Sequence, residues 1–247
     1  MVQSLQQDDA SSASPSEPAG LSALKPGDPH YRAYVGPPLE YDLVGASQFR
    51  LLTTLGLRAG HRCLDLGCGS LRAGRLLIPY LDPGNYFGID PNSWLIDEGV
   101  RLEVGGELIR MKQPRFDYND RMDCTVFGAD FDFIVAQSVF SHTGRDMFAA
   151  GLRSAAGSLA KGGLLVATFA RPERKPRAPR GAGASGWLYP GVYAFTAEEV
   201  LELCADAGLT ARLIPWVHPR QQWFLAARDQ AALPPESFDI HLSGVTR

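Results

Sequence analysis

The sequence lacks several features that mark particular classes of protein. Its four cysteines form neither a Cys-x-x-Cys pair nor a Cys/His spacing typical of zinc, so we interpret them as reduced thiols. A net charge of -3 gives no basic surplus for nucleic acid. No apolar run is long enough to cross a bilayer, and the N-terminus has no cationic start with an apolar core. These absences predict a cytoplasmic protein that binds neither nucleic acid nor a membrane, and they leave the oligomeric state open.

The 247 residues suffice for one sizeable domain, and 45% hydrophobic with 21% charged residues is typical of globular proteins. Residues 1–27 are rich in Ser, Ala, Pro and Gln and have few large apolar side chains, which predicts a flexible tail. We expect one domain over residues 28–229 and a polar tail over residues 230–247. Within the domain, residues 28–60 are expected to form an N-terminal helical lid.

Short apolar runs alternate with segments of helical periodicity along the predicted domain. This alternation predicts crossover units and an α/β fold, a doubly wound, mostly parallel Rossmann-like sheet with helices on both faces. Two further apolar runs, at residues 210–217 and 221–229, are close enough to form an antiparallel hairpin at one edge. The predicted parallel strands are residues 61–66, 85–90, 115–119, 131–137 and 164–170.

The stretch LDLGCGSLRAG, residues 64–74, ends an apolar run at Asp65 and turns through two glycines. The dinucleotide-binding pattern Gly-x-Gly-x-x-Gly would place its third glycine at residue 72, and this residue is Arg72, which argues against a dinucleotide site. Asp90 ends the next predicted strand, where an acidic side chain can accept hydrogen bonds from ribose hydroxyls. The alternative is that Gly67 and Gly69 only shape a turn while Asp90 caps a helix.

Three stretches resemble the class I S-adenosylmethionine (SAM)-dependent methyltransferases, especially the bacterial group that acts on small molecules. They are CLDLGCGSLRAGRLLIPYLDPGNYFGIDP, FDFIVAQSVFSHTG and LAKGGLLVATF, and the resemblance covers about residues 41–227. It implies SAM as the cofactor, with Gly67 and Gly69 lining its methionine moiety, Asp65 contacting its amino group and Asp90 holding its ribose. One departure is Leu71, which replaces a glycine often found there.

The resemblance implies further cofactor contacts. An aspartate after the third strand, Asp120 or Asp123, is expected near the adenine, and an N-terminal aromatic, Tyr41, near SAM. Arg72 either pairs with the SAM carboxylate or lies on a solvated helix face. The simplest role for Cys68 is to fill a small space.

The stretch AQSVFSHTG follows the fourth strand, where the methyl group and its acceptor are expected to meet. We expect Gln137 and Ser138 to contact the cofactor there, and His142 either to take a proton from the acceptor or to be a structural histidine. The long loop at residues 171–195 begins basic and ends aromatic. Its aromatic half is expected either to cover the acceptor site or to complete the core.

The sequence therefore predicts an SAM-dependent methyltransferase that modifies an oxygen, nitrogen or carbon atom of a small-molecule acceptor. A non-catalytic SAM-binding scaffold is the first alternative. Protein or RNA methylation is another, supported only by the basic run at residues 171–180. A nicotinamide-dependent oxidoreductase is disfavoured because the third glycine is missing.

Overall fold

A computed structural model of the chain describes residues 20–173 and 184–243. Within these residues seven strands form one sheet: β1 (Cys63–Leu66), β2 (Tyr86–Ile89), β3 (Arg115–Asp117), β4 (Phe131–Ala136), β5 (Leu159–Phe169), β6 (Thr210–Ile214) and β7 (Gln222–Ala227). Their order across the sheet is β3-β2-β1-β4-β5-β7-β6. The helices are α1 (Tyr31–Tyr34), α2 (Tyr41–Thr54), α3 (Gly74–Tyr80), α4 (Ser93–Gly99), α5 (Gly106–Lys112), α6 (Arg145–Ser158) and α7 (Ala197–Asp206).

The predicted doubly wound sheet with an antiparallel edge hairpin is confirmed. Strands β1 to β5 pair in parallel, whereas β7 runs antiparallel to both β5 and β6. From β1 the chain moves outward through β2 and β3, and it then returns to place β4 on the other side of β1. The strand order thus reverses between β1 and β4, and sheets of this kind bind ligands beyond the carboxyl ends of the strands at such a point.

Two apolar clusters pack against the two faces of the sheet. Because successive side chains of a strand face opposite sides, Leu64 and Ile134 belong to one cluster, while Cys63 and Phe133 belong to the other. The central strands are buried on both faces, so their sequences are continuous apolar runs and do not alternate between apolar and polar residues. This double burial holds the ends of β1, β2 and β4 rigidly beside one another.

Several boundaries differ from the sequence prediction. The segment from residue 93 to residue 105 forms helix α4 and then a π-helical turn, Val100–Val104, and the sequence did not predict the helix α5 that follows. Strand β5 begins at Leu159 rather than at residue 164, because its pairing with β4 shifts register across the glycines of LAKGG. Helix α7 begins with a capping box, in which the Thr196 side chain accepts the backbone N–H of Glu199 and the Glu199 side chain accepts the backbone N–H of Thr196.

Both predicted tails are too long. Residues 20–27 belong to the folded part, since Leu21–Ala23 forms a 3-10 helix with Leu21 buried. At the other end, Leu242 is buried in the core although it is an isolated apolar residue in a polar stretch. Residues 1–19 and 244–247 of the predicted tails lie outside the described residues.

All four cysteines lie in the described part of the chain, where each is buried and unpaired. Burial raises the pKa of Cys124 and of Cys204 to about 12, which keeps both thiols protonated near neutral pH. Within residues 20–173 and 184–243, no helix has the combined length and apolarity needed to cross a membrane.

Candidate functional site

A cavity of about 490 Å³ lies at the carboxyl ends of β1, β2 and β4. Its volume falls within the range of about 300–1,000 Å³ that is usual for small-molecule sites. Gly67, Gly69, Asp90, Gln137 and Ser138 form its floor. The sheet therefore brings together five of the residues that the sequence predicted to bind a cofactor.

The glycine turn after β1 has a backbone that other residues rarely adopt. Gly67 has φ +73° and Gly69 has φ +52°. A Cβ atom on Gly67 would lie 2.4 Å from Val139 Cγ2, and one on Gly69 would lie 2.7 Å from Val35 Cγ1. Side chains at these two positions would thus be strained and would also fill the cavity floor. The turn keeps its backbone accessible to a ligand.

Asp90 ends β2 and faces the same cavity. It is 8% exposed, and its Oδ2 accepts the backbone N–H of Gly69 at 3.0 Å. Its Oδ1 accepts the backbone and side-chain N–H groups of Asn92 at 2.9 and 3.0 Å. Burial raises the pKa of this carboxyl group, and these hydrogen bonds partly oppose that effect. A carboxylate has about four acceptor positions, so Asp90 retains capacity for a ligand hydroxyl.

Asp65 lies below the glycine turn, in a small cavity of about 20 Å³ that shares residues with the large one. It is 3% exposed and accepts the hydroxyl hydrogen of Tyr86 at 3.0 Å. Burial raises the pKa of Asp65 to about 7, although Tyr86 and the charge of Arg72 act in the opposite direction. A cation placed in this cavity would therefore favour the ionised carboxylate.

Two buried polar atoms beside Asp65 have no hydrogen-bond partner within the described residues. They are Arg72 Nε, a donor, and Gln137 Oε1, an acceptor. Both residues line both cavities, and Arg72 Nη1 donates to the carbonyl of Val35 at 2.7 Å. Buried polar groups are normally paired in folded proteins. An unpaired donor and an unpaired acceptor at one place match a ligand that carries both an anionic and a cationic group.

Cys68 and Ser138 have structural contacts of their own. A Cβ atom on Gly88 would lie 2.9 Å from Cys68 Sγ, so the thiol fills the space beside that glycine. Ser138 has φ +62°, and its backbone N–H donates to Thr168 Oγ1 at 2.8 Å. This conformation turns the chain into the cavity directly after Gln137.

The predicted cofactor contacts at Tyr41 and at Asp120 or Asp123 do not line this cavity in the described part of the chain. Tyr41 is buried behind the glycine turn, where its hydroxyl donates to the carbonyl of Ser70, and it does not line the described cavity. Neither Asp120 nor Asp123 lines it within the described residues. The carbonyl of Asp120 accepts the indole N–H of Trp187 at 2.6 Å, and Asp123 caps a 3-10 helix.

His142 lines the cavity at the end of a 3-10 helix, Phe140–His142. Its Nδ1 lies 2.7 Å from the carbonyl oxygen of Gly191. A carbonyl oxygen only accepts hydrogen bonds, so Nδ1 carries the hydrogen and Nε2 is the basic nitrogen of the neutral ring. The ring also packs edge-on against Tyr189.

The loop at residues 171–195 has two roles in its described part, while residues 174–183 lie outside it. Trp187 and Tyr189 line the cavity, whereas Tyr193 and Phe195 are buried in the core. The aromatic half of the loop thus contributes one pair of residues to the cavity wall and another pair to the core. Most of the predicted basic run at residues 171–180 lies outside the described residues.

The segment from Tyr34 to Pro37, within the predicted N-terminal lid, lines the cavity, and Tyr34 packs against Trp94 and Tyr189. The sequence did not predict another cavity wall, the turn between β6 and β7, which contributes His218, Arg220 and Gln221. This turn has no local pattern that marks it as a binding site, because it meets the cavity only through the tertiary fold.

Comparisons with known proteins agree with this architecture. A family model described as "Methyltransferase domain" matches residues 40–214. No curated protein sequence matches the chain significantly.

Solved structures share the fold at low sequence identity. One of them is magnesium protoporphyrin IX methyltransferase (ChlM) from Synechocystis PCC 6803 with bound S-adenosylhomocysteine (SAH). Its sequence is 16% identical to this chain, the TM-score is 0.57, and the alignment covers 78% of this chain and 84% of that chain. The methyltransferase CcbJ from Streptomyces caelestis is 15% identical with a TM-score of 0.58, over 78% and 90%. The glycopeptide N-methyltransferase MtfA, complexed with SAH, is 14% identical with a TM-score of 0.56, over 74% and 89%.

These likenesses show the fold, and the family match spans well over half of the chain. The strand order, the glycine turn and the acidic ends of β1 and β2 fit the same family. The chain therefore belongs to the class I SAM-dependent methyltransferases, as its sequence resemblance predicted.

Proposed function

We propose that the protein transfers the methyl group of SAM to an oxygen, nitrogen or carbon atom of a small-molecule acceptor. The observation that carries this proposal is the pair of unpartnered buried atoms, Arg72 Nε and Gln137 Oε1, beside Asp65. The methionine end of SAM has a carboxylate and an ammonium group on one carbon. Arg72 suits the carboxylate, and Gln137 with Asp65 suits the ammonium group.

The other end of the cofactor fits the neighbouring residues. Asp90 retains acceptor capacity for a ribose hydroxyl, and the glycine turn lets a ligand approach its backbone. SAM supplies an activated methyl group on a sulfonium, so transfer requires alignment with the acceptor and exclusion of water more than acid–base chemistry. Tyr34, Trp187 and Tyr189 line the cavity and would limit the access of water.

An oxygen or nitrogen acceptor loses a proton when it gains the methyl group. His142 is our candidate base, because the Gly191 carbonyl orients its ring and makes Nε2 the proton-accepting atom. The hydroxyl of Ser138 lies on the same wall of the cavity. This placement of a proton acceptor in the cavity favours an enzyme over a non-catalytic scaffold.

The relatives of known fold give a second line of support. One acts on magnesium protoporphyrin IX and another on a glycopeptide, according to their names. An acceptor of small or moderate size also suits a cavity of about 490 Å³ that a cofactor must share.

The test is transfer of labelled methyl groups from SAM to a panel of phenols, amines and carboxylic acids. We expect one acceptor class to be labelled by the wild type. Replacement of His142 by Gln is expected to lower the rate about 10²–10⁴-fold for an oxygen acceptor while SAH affinity is unchanged. Labelling of bulk protein or RNA instead of every small molecule would contradict the proposal.

A further inference from the structure

The turn between β6 and β7 forms a polar wall of the cavity. His218 and Gln221 are 7% and 8% exposed, and both line the cavity with Arg220. Their positions follow from the antiparallel pairing of β6 with β7, which directs the intervening turn toward the carboxyl ends of β4 and β5. The cofactor assignments above use none of these three residues.

The backbone of the turn determines which nitrogen of His218 carries a hydrogen. His218 Nδ1 accepts the backbone N–H groups of Arg220 and Gln221, at 3.2 and 3.0 Å. A nitrogen that accepts two N–H groups has no hydrogen of its own, so the hydrogen of this ring is on Nε2. His142 has the opposite tautomer. The two imidazoles that line the cavity thus have their ring hydrogens on different nitrogens.

Gln221 joins this turn to the segment that carries His142. Its Nε2 donates to the hydroxyls of Ser138 and Ser141, each at 3.1 Å, and its Oε1 accepts the hydroxyl of Thr168 at 2.5 Å. Ser141 is directly before His142 in the chain. The hydrogen bonds to Ser141 and Thr168 are buried and the one to Ser138 is partly buried, so together they fix the turn relative to the proton-accepting histidine.

Arg220 gives this wall a positive charge. Its two terminal nitrogens donate to Glu40 at 3.1 and 2.7 Å, and these bonds use two of its five N–H donors. Both side chains are about one third exposed, so the ion pair is weak and exchangeable. Among the described residues that line the cavity, Asp90 is the sole carboxylate, and it belongs to the cofactor half.

Aromatic rings lie on the walls of the same cavity. Tyr34 and Tyr189 have ring centroids 4.9 Å apart, and Trp187 is held by the carbonyl of Asp120. Aromatic side chains at these positions favour a planar ligand, which can stack on a ring. The acceptor half therefore combines aromatic surface with the cation of Arg220.

We propose that the methyl acceptor is an aromatic hydroxy acid whose carboxylate binds Arg220, with its hydroxyl directed to His142. This inference rests on the proposed function. A carboxylate matches the remaining N–H donors of Arg220, and the candidate base His142 takes the hydroxyl end of the ligand.

The experiment measures binding of matched acids and amides to the full chain saturated with SAH. The probes are hydroxybenzoate with hydroxybenzamide, and hydroxynaphthoate with hydroxynaphthamide, titrated by calorimetry. We expect at least one acid to bind about tenfold tighter than its amide, as a charge-assisted hydrogen bond predicts. In Arg220→Gln this preference should disappear, and Arg220→Lys should keep part of it because the charge remains.

Two controls separate recognition from folding and overall charge. Arg101→Gln removes the same charge at an exposed ion pair outside the cavity and should leave the preference intact. The double variant Glu40→Gln/Arg220→Gln removes the ion pair without leaving an unpaired carboxylate. It too should lose the preference for the acid over the amide. Amides that bind as well as the acids, or acids that fail to bind SAH-loaded protein, would overturn this inference. Failure of SAH itself to bind would instead overturn the proposed function.

Discussion

Asp90 Oδ2 accepts the backbone N–H of Gly69 at 3.0 Å, which joins the end of β2 to the glycine turn after β1. The predicted ribose ligand and the predicted methionine-binding turn therefore form one hydrogen-bonded unit. Since Asp90 also accepts two N–H groups from Asn92, its carboxylate is oriented before any ligand arrives. Such preorganisation reduces the entropy lost on binding.

Replacement of Asp90 by Asn should weaken SAH binding by about 1.5–3 kcal/mol, or at least about tenfold, because a charged acceptor for the ribose is lost. Calorimetric titration measures this difference directly. Asp97→Asn is the matched control, since Asp97 is an exposed carboxylate on the neighbouring helix α4. Equal affinities of the two variants would mean that Asp90 does not hold the ribose.

SAM affinity should rise with pH up to about 7 and then level off. Burial raises the pKa of Asp65 to about 7 in the free protein, so below this value the carboxyl group is mostly protonated. The ammonium group of the ligand favours the ionised form, and binding at low pH must therefore release a proton. Calorimetry between pH 5.5 and 7.5, in buffers of different ionisation enthalpy, measures both the affinity and the proton release.

Asp65→Asn is the control for this pH dependence. An amide does not ionise, so the variant should bind more weakly at pH 7.5 and show a flatter profile between the two limits. If the wild type released no proton at pH 5.5, or if the variant kept the full slope, the amino group would not lie against Asp65.

Gly67→Ala should lower the free energy of unfolding by about 1–3 kcal/mol, because the new Cβ would lie 2.4 Å from Val139 Cγ2 at φ +73°. Gly157→Ala is the comparison, since nothing lies within 4 Å of its Cβ position in helix α6. That change should be neutral or stabilise by up to about 1 kcal/mol. Urea unfolding measures both, and a Gly67 variant as stable as the Gly157 variant would refute the steric argument.

Tyr189→Phe should speed SAH dissociation by roughly fivefold, since it removes a hydrogen bond worth about 1 kcal/mol from the cavity wall. The hydroxyl of Tyr189 donates to the carbonyl of Tyr34, and burial raises its pKa to about 12, so it stays protonated. Stopped-flow displacement gives the rate. Tyr118→Phe, at a half-exposed tyrosine, should leave the rate unchanged. Identical rates for all three proteins would show that the contact does not retain the ligand.

The sequence predicted the parts of the site that follow from local chain geometry. Asp65, Gly67, Gly69 and Asp90 occupy strand ends and a tight turn, and these positions can be read from an apolar run followed by turn residues. Gln137 and Ser138 follow β4 for the same reason. Parallel pairing alone then brings the three strand ends together.

The remaining parts depend on how distant segments pack. Tyr41 and Tyr34 are both aromatic and close in sequence, but α2 turns Tyr41 behind the glycine turn while Tyr34 reaches the cavity. Asp120 acts through its backbone carbonyl, which no side-chain pattern reports. The turn at residues 218–221 belongs to the site only because β7 inserts beside β5.

The most direct test of the central claim is calorimetric titration of the full chain with SAH, followed by the same titration with NAD⁺. The glycine turn, with Arg72 in place of a third glycine, predicts saturable micromolar binding of one SAH per chain and no binding of NAD⁺. No SAH binding by well-folded protein, or equal binding of NAD⁺, would contradict the account of this cavity as a SAM site.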